Sequence, residues 1–398
     1  MRILLLNEYY PPDTSATANM ASLVAQTLGE RHEVTVLAGR PSYDPSEYHP
    51  LYLSRTDARG PVRVRRVGST AFSRRRMTGR VSNYLSYVSL ALPVALATPA
   101  DLIMAMTDPP IEGLLGAWVA RRRRLPFVYN IRDLYPDMAV GGRIVGSGRW
   151  VDWWERMHRR AMRQAARVIV LGDDMRRRLA AKGVDPARIV VVRDGALLNE
   201  PPVSNGHPTI PLIRAGFQFV ALHAGNLGFY GAWETLVEAA RQLENEGFGL
   251  VFVGSGAQQK KIECAASGAR AVRFLPFRPS EEIPYVLAAA DVHIITVRRG
   301  LEGVVVPSKL YGILAAGRPV LAVAPQSSDV ARIVTEAGCG LVADPEDPAS
   351  VAAAIRQLRA QPGELAAMGG RARDKAREFE RSGQLRLLLE TVEQAGRC

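Results

Sequence analysis

A loop that follows an uncharged, strand-like run carries the residues best suited to bind an anion. It contains two arginines, one carboxylate, a proline–serine turn and a lysine: Arg298, Arg299, Glu302, Pro307, Ser308 and Lys309. The turn is predicted to open a short helix, whose first turn offers unpaired backbone N–H groups and the positive end of a dipole, which suit phosphate. A lysine there is unfavourable for the dipole unless an anion binds nearby. The pattern predicts a phosphate site, with an ordinary corner and a solvated lysine as the alternative.

Carboxylates follow an earlier apolar run. Asp133 and Asp137 stand four positions apart, with Arg132 beside them, where a buried strand is predicted to end. Carboxylates in that place suit proton transfer or hydrogen bonds to substrate hydroxyls. Asp133 is therefore a predicted catalytic residue. Asp137 is a candidate for substrate binding, although Pro136 and Asp137 also form an ordinary turn sequence.

Glycine-rich loops follow two further predicted strands. Glycine lets backbone approach a phosphate closely, although neither loop matches GxGxxG or a P-loop. The residues concerned are Gly225, Asn226, Gly228 and Gly254. Another strand end holds Phe277, whose ring could lie against a base, and Arg278, whose backbone could pair with the base edge. Ser15 is predicted either to cap the first helix or to form one wall of a cleft.

Several kinds of site are absent from the sequence. It contains no HExxH, GxSxG or CxxC motif and no aspartate pair suited to metal–diphosphate binding. Its three cysteines, Cys264, Cys339 and Cys398, lack metal-ligand spacing and predict a reducing compartment. Of the scattered histidines, only His223 stands at a predicted strand end, where a core role is more common. Because no targeting segment is visible, we expect a cytoplasmic protein. Because no metal-binding motif is present, we expect no metal site.

Positive charge is concentrated in the first half of the chain. Residues 1–200 contain 30 Lys and Arg against 19 Asp and Glu, whereas residues 201–398 contain 21 against 20. Such asymmetry is typical of proteins with a polyanionic partner, either anionic lipid or nucleic acid. A bias toward arginine explains it equally well, because nearly all cations of the first half are arginines.

Strands alternate with helices of ten or more residues in both halves, which predicts parallel βαβ units. At 398 residues the chain is too long for one ordinary core. We predict an α/β protein of two doubly wound, Rossmann-like domains, at residues 1–195 and 216–379, joined by a linker at 196–215 in which Pro, Asn and Gly cluster. A helix at about 380–398 is a candidate to cross back to the first domain. Ligands bind beyond the carboxyl ends of parallel strands, so the cleft between the two facing sheets is the predicted site.

Residues 81–100 carry no formal charge. Their length permits a membrane span. Five Ser, Thr and Asn residues and Pro93 nevertheless make the segment weakly hydrophobic. A helix packed within the first domain fits better, with one face at a membrane surface as a second interpretation.

Motifs spread over nearly the whole chain resemble those of the retaining glycosyltransferases of family 4, which have the two-domain GT-B fold. They are Tyr9-Tyr10-Pro11-Pro12, Thr107-Asp108-Pro109-Pro110, Arg132 to Asp137, Gly225 to Gly228, and Pro307 to Pro319, the last being the most specific. Within the family, the chain looks most like the group related to the L-fucosamine transferase of O-antigen assembly.

The resemblance implies transfer of a sugar from a nucleotide donor, foremost a UDP-sugar, to a hydroxyl, with the anomeric configuration kept and with no metal or other cofactor. The second domain would hold the donor through the glycine loops, Phe277 and Arg278, and through Arg298, Gly303, Pro307 and Ser308. Lys309 would stabilise the departing diphosphate, Glu302 would lie by the donor sugar, and Asp133 by a sugar hydroxyl or the acceptor. The first domain would bind the acceptor through Tyr10, Ser15 and Asp137.

The chain departs from the family pattern at three places. Aligned on Ala315-Ala316-Gly317, the glutamate that holds the ribose in the family falls on Gly312. The usual Lys-Gly after the glycine loop is Tyr230-Gly231, which removes one phosphate cation, and Arg298, Arg299 or Lys309 are the candidates to replace it. The Gly-Gly of the first domain is Ser15-Ala16.

The predicted function is therefore sugar transfer to a saccharide in surface polysaccharide or glycoconjugate biosynthesis. The acceptor is expected to be lipid-linked and the enzyme peripheral at the inner face of the cell membrane, because the first half is basic. The alternatives within this fold are transfer to a soluble natural product such as an aminoglycoside, and epimerisation of a UDP-sugar. Nucleic acid is not an expected partner, since aromatic residues do not interleave with the arginine runs.

Overall fold

The computed structural model describes residues 1–41, 53–59, 61–73, 77–198 and 206–397. Within these ranges the strands form two sheets, one of eight and one of six strands. Each sheet is covered by helices, and every strand pair is parallel except one at an edge of the larger sheet. The predicted fold class, two Rossmann-like α/β domains, is confirmed.

The first sheet follows the order β3-β4-β2-β1-β5-β6-β7-β8. Its strands are β1 (Arg2–Leu6), β2 (Glu33–Gly39), β3 (Ser54–Arg59), β4 (Val62–Val67), β5 (Leu102–Ala105), β6 (Phe127–Asn130), β7 (Arg167–Val170) and β8 (Ile189–Val191). The central strands are continuous apolar runs because helices cover both faces of the sheet. The antiparallel edge strand β3 was not predicted, since its charged sequence is that of an exposed edge.

Helices of the first domain lie between these strands. They are α1 (Ala16–Gly29), α2 (Met77–Ala97), α3 (Glu112–Arg123), α4 (Asp137–Gly141), α5 (Arg149–Gln164) and α6 (Asp173–Ala181). The side chains of α1 pack on one face of the sheet, and those of α2, α3 and α5 pack on the other.

The second sheet follows the order β11-β10-β9-β12-β13-β14. Its strands are β9 (Phe219–Ala224), β10 (Phe248–Val253), β11 (Val272–Leu275), β12 (Val292–Thr296), β13 (Val320–Val323) and β14 (Gly340–Ala343). The helices of this half are α7 (Thr209–Arg214), α8 (Trp233–Gln242), α9 (Gln259–Ala265), α10 (Ile283–Ala288), α11 (Lys309–Ala315), α12 (Asp329–Ala337), α13 (Pro348–Ala360), α14 (Pro362–Glu378) and α15 (Arg381–Gly396). The loop that carries Arg298, Glu302 and Ser308 connects β12 to α11.

The predicted linker differs from the structure in its second half. Residues 209–214 form α7, whose Ile213 is buried against Val220 of the second sheet. Pro211 lies in the first turn of this helix, where its missing N–H costs no helical hydrogen bond. Residues 199–205 of the linker, and residue 398, lie outside the described residues.

Helix α15 packs on the first sheet although it follows the second domain. Its Leu388, Leu389 and Val392 share a core with Ile3 and Leu5 of β1. Where the chain crosses over, the Ala196 N–H donates to the Phe379 carbonyl at 2.6 Å and the Arg381 N–H donates to the Ala196 carbonyl at 3.0 Å. The two connections between the domains therefore run side by side.

The domains also touch at the edge of the cleft. The Leu134 N–H donates to the Val304 carbonyl at 3.1 Å, beside a short antiparallel bridge between Asp133 and Val305. The Arg298 guanidinium donates to the Gly141 carbonyl at 2.7 Å. These contacts bring the segment after β6 against the loop after β12.

Helix α2 contains most of the uncharged segment at residues 81–100. Tyr87, Ala91 and Ala95, spaced at about one turn, are buried against the first sheet, and Asn83, one turn earlier, is hydrogen-bonded to Thr70 and Phe72. Across the described residues, no helix is both long and apolar enough to cross a membrane. The segment is therefore a packed helix, and its outer side is exposed.

Candidate active site

A cleft of about 610 Å³ lies between the two domains. One wall comes from the start of α1 and the segments after β6 and β8, and the other from α10 and α11. Of the predicted site residues, Asp133, Ser308 and Lys309 line this cleft. Two residues on opposite domains, a carboxylate and a lysine, thus face one cavity.

Lys309 is held at the cleft wall by two neighbours from the glycine-loop region. Its ammonium Nζ lies 3.0 Å from His223 Nε2 and 3.3 Å from the Tyr230 hydroxyl oxygen. The same Nζ lies 5.7 Å from the centre of the Tyr230 ring, within cation–π range. Burial lowers the pKa of Lys309 to about 7. An anion placed beside Nζ would restore the charged form, which suits the residue to bind phosphate.

His223 is the residue that the sequence analysis assigned to the core, and it contacts Lys309 directly. Its Nδ1 lies 3.2 Å from the Ile294 carbonyl, which can only accept a hydrogen bond, so Nδ1 carries the proton. Nε2 is then free to accept from Lys309 Nζ. Burial, reinforced by the Lys309 charge, holds the pKa of His223 well below its usual value, so the ring is neutral. The available signal was its place at the end of β9, immediately before the glycine loop.

Replacing His223 tests this contact. His223→Phe keeps an aromatic ring against Trp233, which now lies 4.8 Å away between ring centres, but removes the acceptor for Lys309. We expect affinity for UDP, the nucleotide of the predicted donor, to fall about tenfold or more, because a hydrogen bond to a charged group is lost. Isothermal titration calorimetry measures the change.

His223→Gln is the matched variant, since its amide oxygen can accept from Lys309. It should retain more of the affinity than His223→Phe, and binding should weaken at a lower pH in the Phe variant than in wild type. Equal losses in both variants, with unchanged pH dependence, would assign His223 a packing role only.

Gly225 and Gly254 leave room beside Lys309. A Cβ on Gly225, whose φ is +131°, would lie 2.9 Å from Lys309 Nζ. A Cβ on Gly254, whose φ is +140°, would lie 2.1 Å from the Gly225 carbonyl oxygen and 3.2 Å from the Phe277 ring. Both positions require glycine for conformation and for space. The predicted loop residues Gly225, Gly254 and Phe277 therefore lie next to one another in that order, and Gly225 is next to Lys309.

Asp133 lies on the opposite wall. Burial raises the pKa of its carboxyl to about 7, with a further rise from Asp108 and an opposing effect of Arg132. The Arg132 guanidinium is itself paired with the Asp194 carboxylate. A carboxyl that titrates near neutral pH can both hold a hydroxyl and exchange its proton.

Several predicted donor residues point elsewhere. Glu302 does not line the cleft, and its carboxylate accepts from the Gly300 N–H at 2.7 Å. A Cβ on Gly303 would lie 2.6 Å from the Asp174 carbonyl, so this glycine permits contact between domains. Arg298 donates to Gly141, and Arg299 pairs with Asp344 and Glu346 at the surface. Of the three cations proposed to replace the missing family lysine, only Lys309 lines the cleft.

The remaining donor candidates are near the cleft without lining it. The Arg278 guanidinium pairs with Glu282. The Asn226 and Gly228 carbonyls accept from the Tyr230 hydroxyl and the Trp233 indole, respectively, and Pro307 precedes α11. These residues shape the loops rather than present side chains to the cavity.

None of the three predicted acceptor residues lines the cleft. Tyr10 is buried in the first core, because the loop after β1 turns its ring inward. Ser15 caps α1 by accepting from the Ala18 N–H at 3.1 Å. Asp137 pairs with Arg178 and Lys182. Their neighbours in sequence, Ala16, Thr17 and Asp133, line the cavity instead.

The cleft contains residues that sequence reasoning missed. They are Asp194, Gly195 and Arg381 from the crossing between domains, and Ser280, Ile283 and Leu287 from the region of α10. Gly312 also lines the cleft, and a Cβ there would meet no atom within 4 Å. The two crossings carry no motif, so only the fold reveals that they meet.

No cluster of three or more His, Cys, Asp or Glu residues suited to a metal ion occurs in the part of the chain that the structure describes.

Two facing Rossmann-like domains with a ligand-sized cleft between them define the GT-B class of glycosyltransferases. A glycosyltransferase 4-like domain model matches residues 16–195, and a model of the glycosyltransferases group 1 matches residues 214–375. Together they match most of the chain. The chain belongs to this group 1 glycosyltransferase family and is an enzyme.

Individual proteins support the same assignment. The chain is 28% identical to the probable glycosyltransferase WbjE of Pseudomonas aeruginosa, over 66% of this chain and 67% of that protein. It is 30% identical to the putative colanic acid biosynthesis glycosyl transferase WcaI of Escherichia coli K12, over 36% of each chain. Among solved structures, Anabaena Alr3699/HepE in complex with UDP has the same fold, with a TM-score of 0.69, 17% identity, and coverage of 99% and 100% of the two chains. None of these three names refers to fucosamine, so the predicted likeness to the L-fucosamine transferase group stays a prediction.

Proposed function

We propose that this enzyme transfers a sugar from a nucleotide donor, foremost a UDP-sugar, to a saccharide hydroxyl with retention of the anomeric configuration and without a metal or other cofactor. The observation that carries the proposal is the placement of Lys309, beside the Gly225 loop, in a cleft that Asp133 closes from the other domain. Support for UDP comes from the solved complexes of Alr3699/HepE with UDP and with UDP-glucose.

The reaction breaks the bond between the anomeric carbon and the diphosphate oxygen and forms a bond to the acceptor oxygen. Negative charge develops on the diphosphate, and Lys309 is placed to stabilise it. Asp133, on the facing wall, would hold the acceptor hydroxyl. The hydroxyl proton leaves with the diphosphate, so that charge and atoms balance. Glu302 would act at the donor sugar only after a change in its side-chain conformation, since its carboxylate now accepts from Gly300.

The acceptor that we propose is a lipid-linked saccharide in surface polysaccharide or glycoconjugate biosynthesis. The basic excess of the first 200 residues supports a site of action at an anionic membrane surface, which would be the inner face of the cell membrane. The name of WcaI, with its reference to colanic acid biosynthesis, supports the polysaccharide pathway class.

A panel of nucleotides and nucleotide sugars tests the donor assignment. UDP or a UDP-sugar should raise the melting temperature, since a ligand at about 100 times its Kd stabilises the folded state by about 2.7 kcal/mol. ADP, GDP and CMP at equal concentration serve as controls. A shift with one of these and none with UDP would reassign the donor.

The stereochemistry requires a separate measurement. Product formed with the donor identified in this way should show the same anomeric configuration as the donor by proton NMR. Inversion would contradict a retaining mechanism, and conversion of the UDP-sugar without any acceptor would favour the epimerase alternative.

A further inference from the structure

Three helices of the first domain lie side by side and expose one continuous surface. Helix α3 packs between α2 and α5. Their inner sides bury Tyr87, Leu115 and Met162 in the core beneath the first sheet. Their outer sides form what we call the three-helix face, which comprises the exposed residues of α2, α3 and α5.

The three-helix face carries large apolar side chains that no other described element covers. The exposed fractions are 46% for Val81, 57% for Leu85, 50% for Trp118, 66% for Trp150 and 43% for Trp153. The Trp150 and Trp153 rings stack with their centres 4.7 Å apart. Exposed apolar residues grouped in this way mark an interaction surface, and tryptophan is the side chain most suited to the boundary between water and hydrocarbon.

The charge of the three-helix face is strongly positive. The three helices contain nine arginines and three acidic residues. Of the acids, Glu112 is buried and Glu155 is paired with Lys182, which leaves Asp152 exposed. Arg121, Arg122, Arg156 and Arg160 are exposed and form no ion pair within the described residues.

This face adjoins the cleft. The Trp154 ring stacks on Tyr135 at 5.8 Å between centres, and Tyr135 is two residues from Asp133. In parallel α/β domains the helices begin at the carboxyl edge of the sheet, where the ligand lies. Trp150 and Trp153, in the first turns of α5, are therefore at the end of the face nearest the cavity.

We propose that the three-helix face docks onto an anionic lipid bilayer, with the tryptophan rings at the headgroup level and the arginines on the lipid phosphates. The inference rests on the proposed function only in that a lipid-linked acceptor gives such docking a purpose. It goes beyond the charge asymmetry because it assigns the contact to named side chains. A second copy of the chain is the less favourable occupant, since two such faces would oppose unpaired arginines.

Vesicle sedimentation with the full chain tests the proposal. Vesicles of phosphatidylglycerol and phosphatidylcholine should bind the protein at low salt, and vesicles of phosphatidylcholine alone should bind it at least about tenfold more weakly. Arg156→Glu with Arg160→Glu should weaken binding to the anionic vesicles by about tenfold or more. Trp150→Ser with Trp153→Ser should abolish the part of the binding that resists high salt.

The matched control reverses two exposed arginines on the opposite face of the first sheet, Arg386→Glu with Arg397→Glu. It changes the net charge equally but should leave most vesicle binding intact. The proposal would be overturned if both charge reversals weakened vesicle binding equally, or if the two Trp→Ser substitutions left vesicle binding unchanged. The proposal would also be overturned if the protein bound no vesicles and light scattering showed a dimer that the double substitution Trp150→Ser with Trp153→Ser dissociates.

The shift of melting temperature by UDP, measured on the same variants without vesicles, separates this proposal from the proposed function. Unchanged shifts with lost vesicle binding support the docking face. If the wild-type protein bound vesicles normally but UDP raised no melting temperature, the docking proposal would stand and the assignment of a UDP-sugar donor would fail.

Discussion

Lys309→Ala is expected to lower kcat by about 10²- to 10³-fold with little change in folding. That is the usual cost of removing one group that stabilises charge developing on a leaving group. Lys309 has its Nζ at the cleft wall beside the Gly225 loop, and it is the one of the three candidate cations that lines the cavity within the described residues. Initial rates at saturating donor and acceptor measure the loss, and thermal melting checks the fold.

Lys260→Ala is the control, since Lys260 is an exposed lysine of the same domain outside the cleft. It should leave kcat within about twofold of wild type, as surface substitutions usually do. If Lys309→Ala kept a near-normal rate, the diphosphate could not bind beside Lys309 as proposed.

The same lysine should make UDP binding depend on pH. Because burial lowers the pKa of Lys309 to about 7, the free enzyme at pH 8 is mostly uncharged at this position. The bound diphosphate favours the ammonium form, so binding at pH 8 should take up close to about one proton, and binding at pH 6 almost none. Calorimetry in two buffers of different ionisation enthalpy measures the uptake, which Lys309→Ala should eliminate.

Asp133→Asn is expected to have the second-largest effect, a loss of about 10²-fold in kcat, because the acceptor hydroxyl loses the carboxylate that would position it. Asp133→Asn should nevertheless make the folded protein more stable at high pH. The pKa of Asp133 is raised to about 7 in the folded protein, so between about pH 4 and pH 7 the folded state binds more protons than the unfolded state. The free energy of unfolding of wild type should therefore fall across this range relative to Asp133→Asn.

Melting temperatures of both proteins at pH 5 and pH 8 measure that difference. The melting temperature of Asp133→Asn should rise relative to that of wild type between pH 5 and pH 8, because the variant never carries the buried charge. Asp152→Asn, at an exposed aspartate of α5, should change neither the rate nor the pH dependence. A variant that loses stability equally at both pH values would show that Asp133 is ionised throughout and held by a partner.

The fold followed from local patterns. The apolar runs at residues 3–6 and 292–297 have the length and composition of buried parallel strands, and the structure places β1 and β12 there. Patterns failed where the sequence is short or polar. Helix α7 is six residues long and contains a proline, and β3 is charged. In both cases, packing against a neighbouring element decides the structure.

The candidate site was less accessible to sequence reasoning. Motifs identified the loops that reach the cleft, but side-chain direction depends on the turn each loop makes. Tyr10 and Asp133 both follow buried strands, yet one ring enters the core and one carboxylate faces the cavity. Contacts between distant segments were beyond reach altogether, as His223 and Lys309 are 86 residues apart in sequence.

The paired crossings between domains also have a consequence for the substrate. Because Ala196 and Glu380 form a bridge, the two connections between the domains meet at one place. Asp194, Gly195 and Arg381, which flank this bridge, also line the cavity. A substrate in the cavity would therefore contact both connections at once, so substitutions at these three positions should affect binding as well as the junction of the domains.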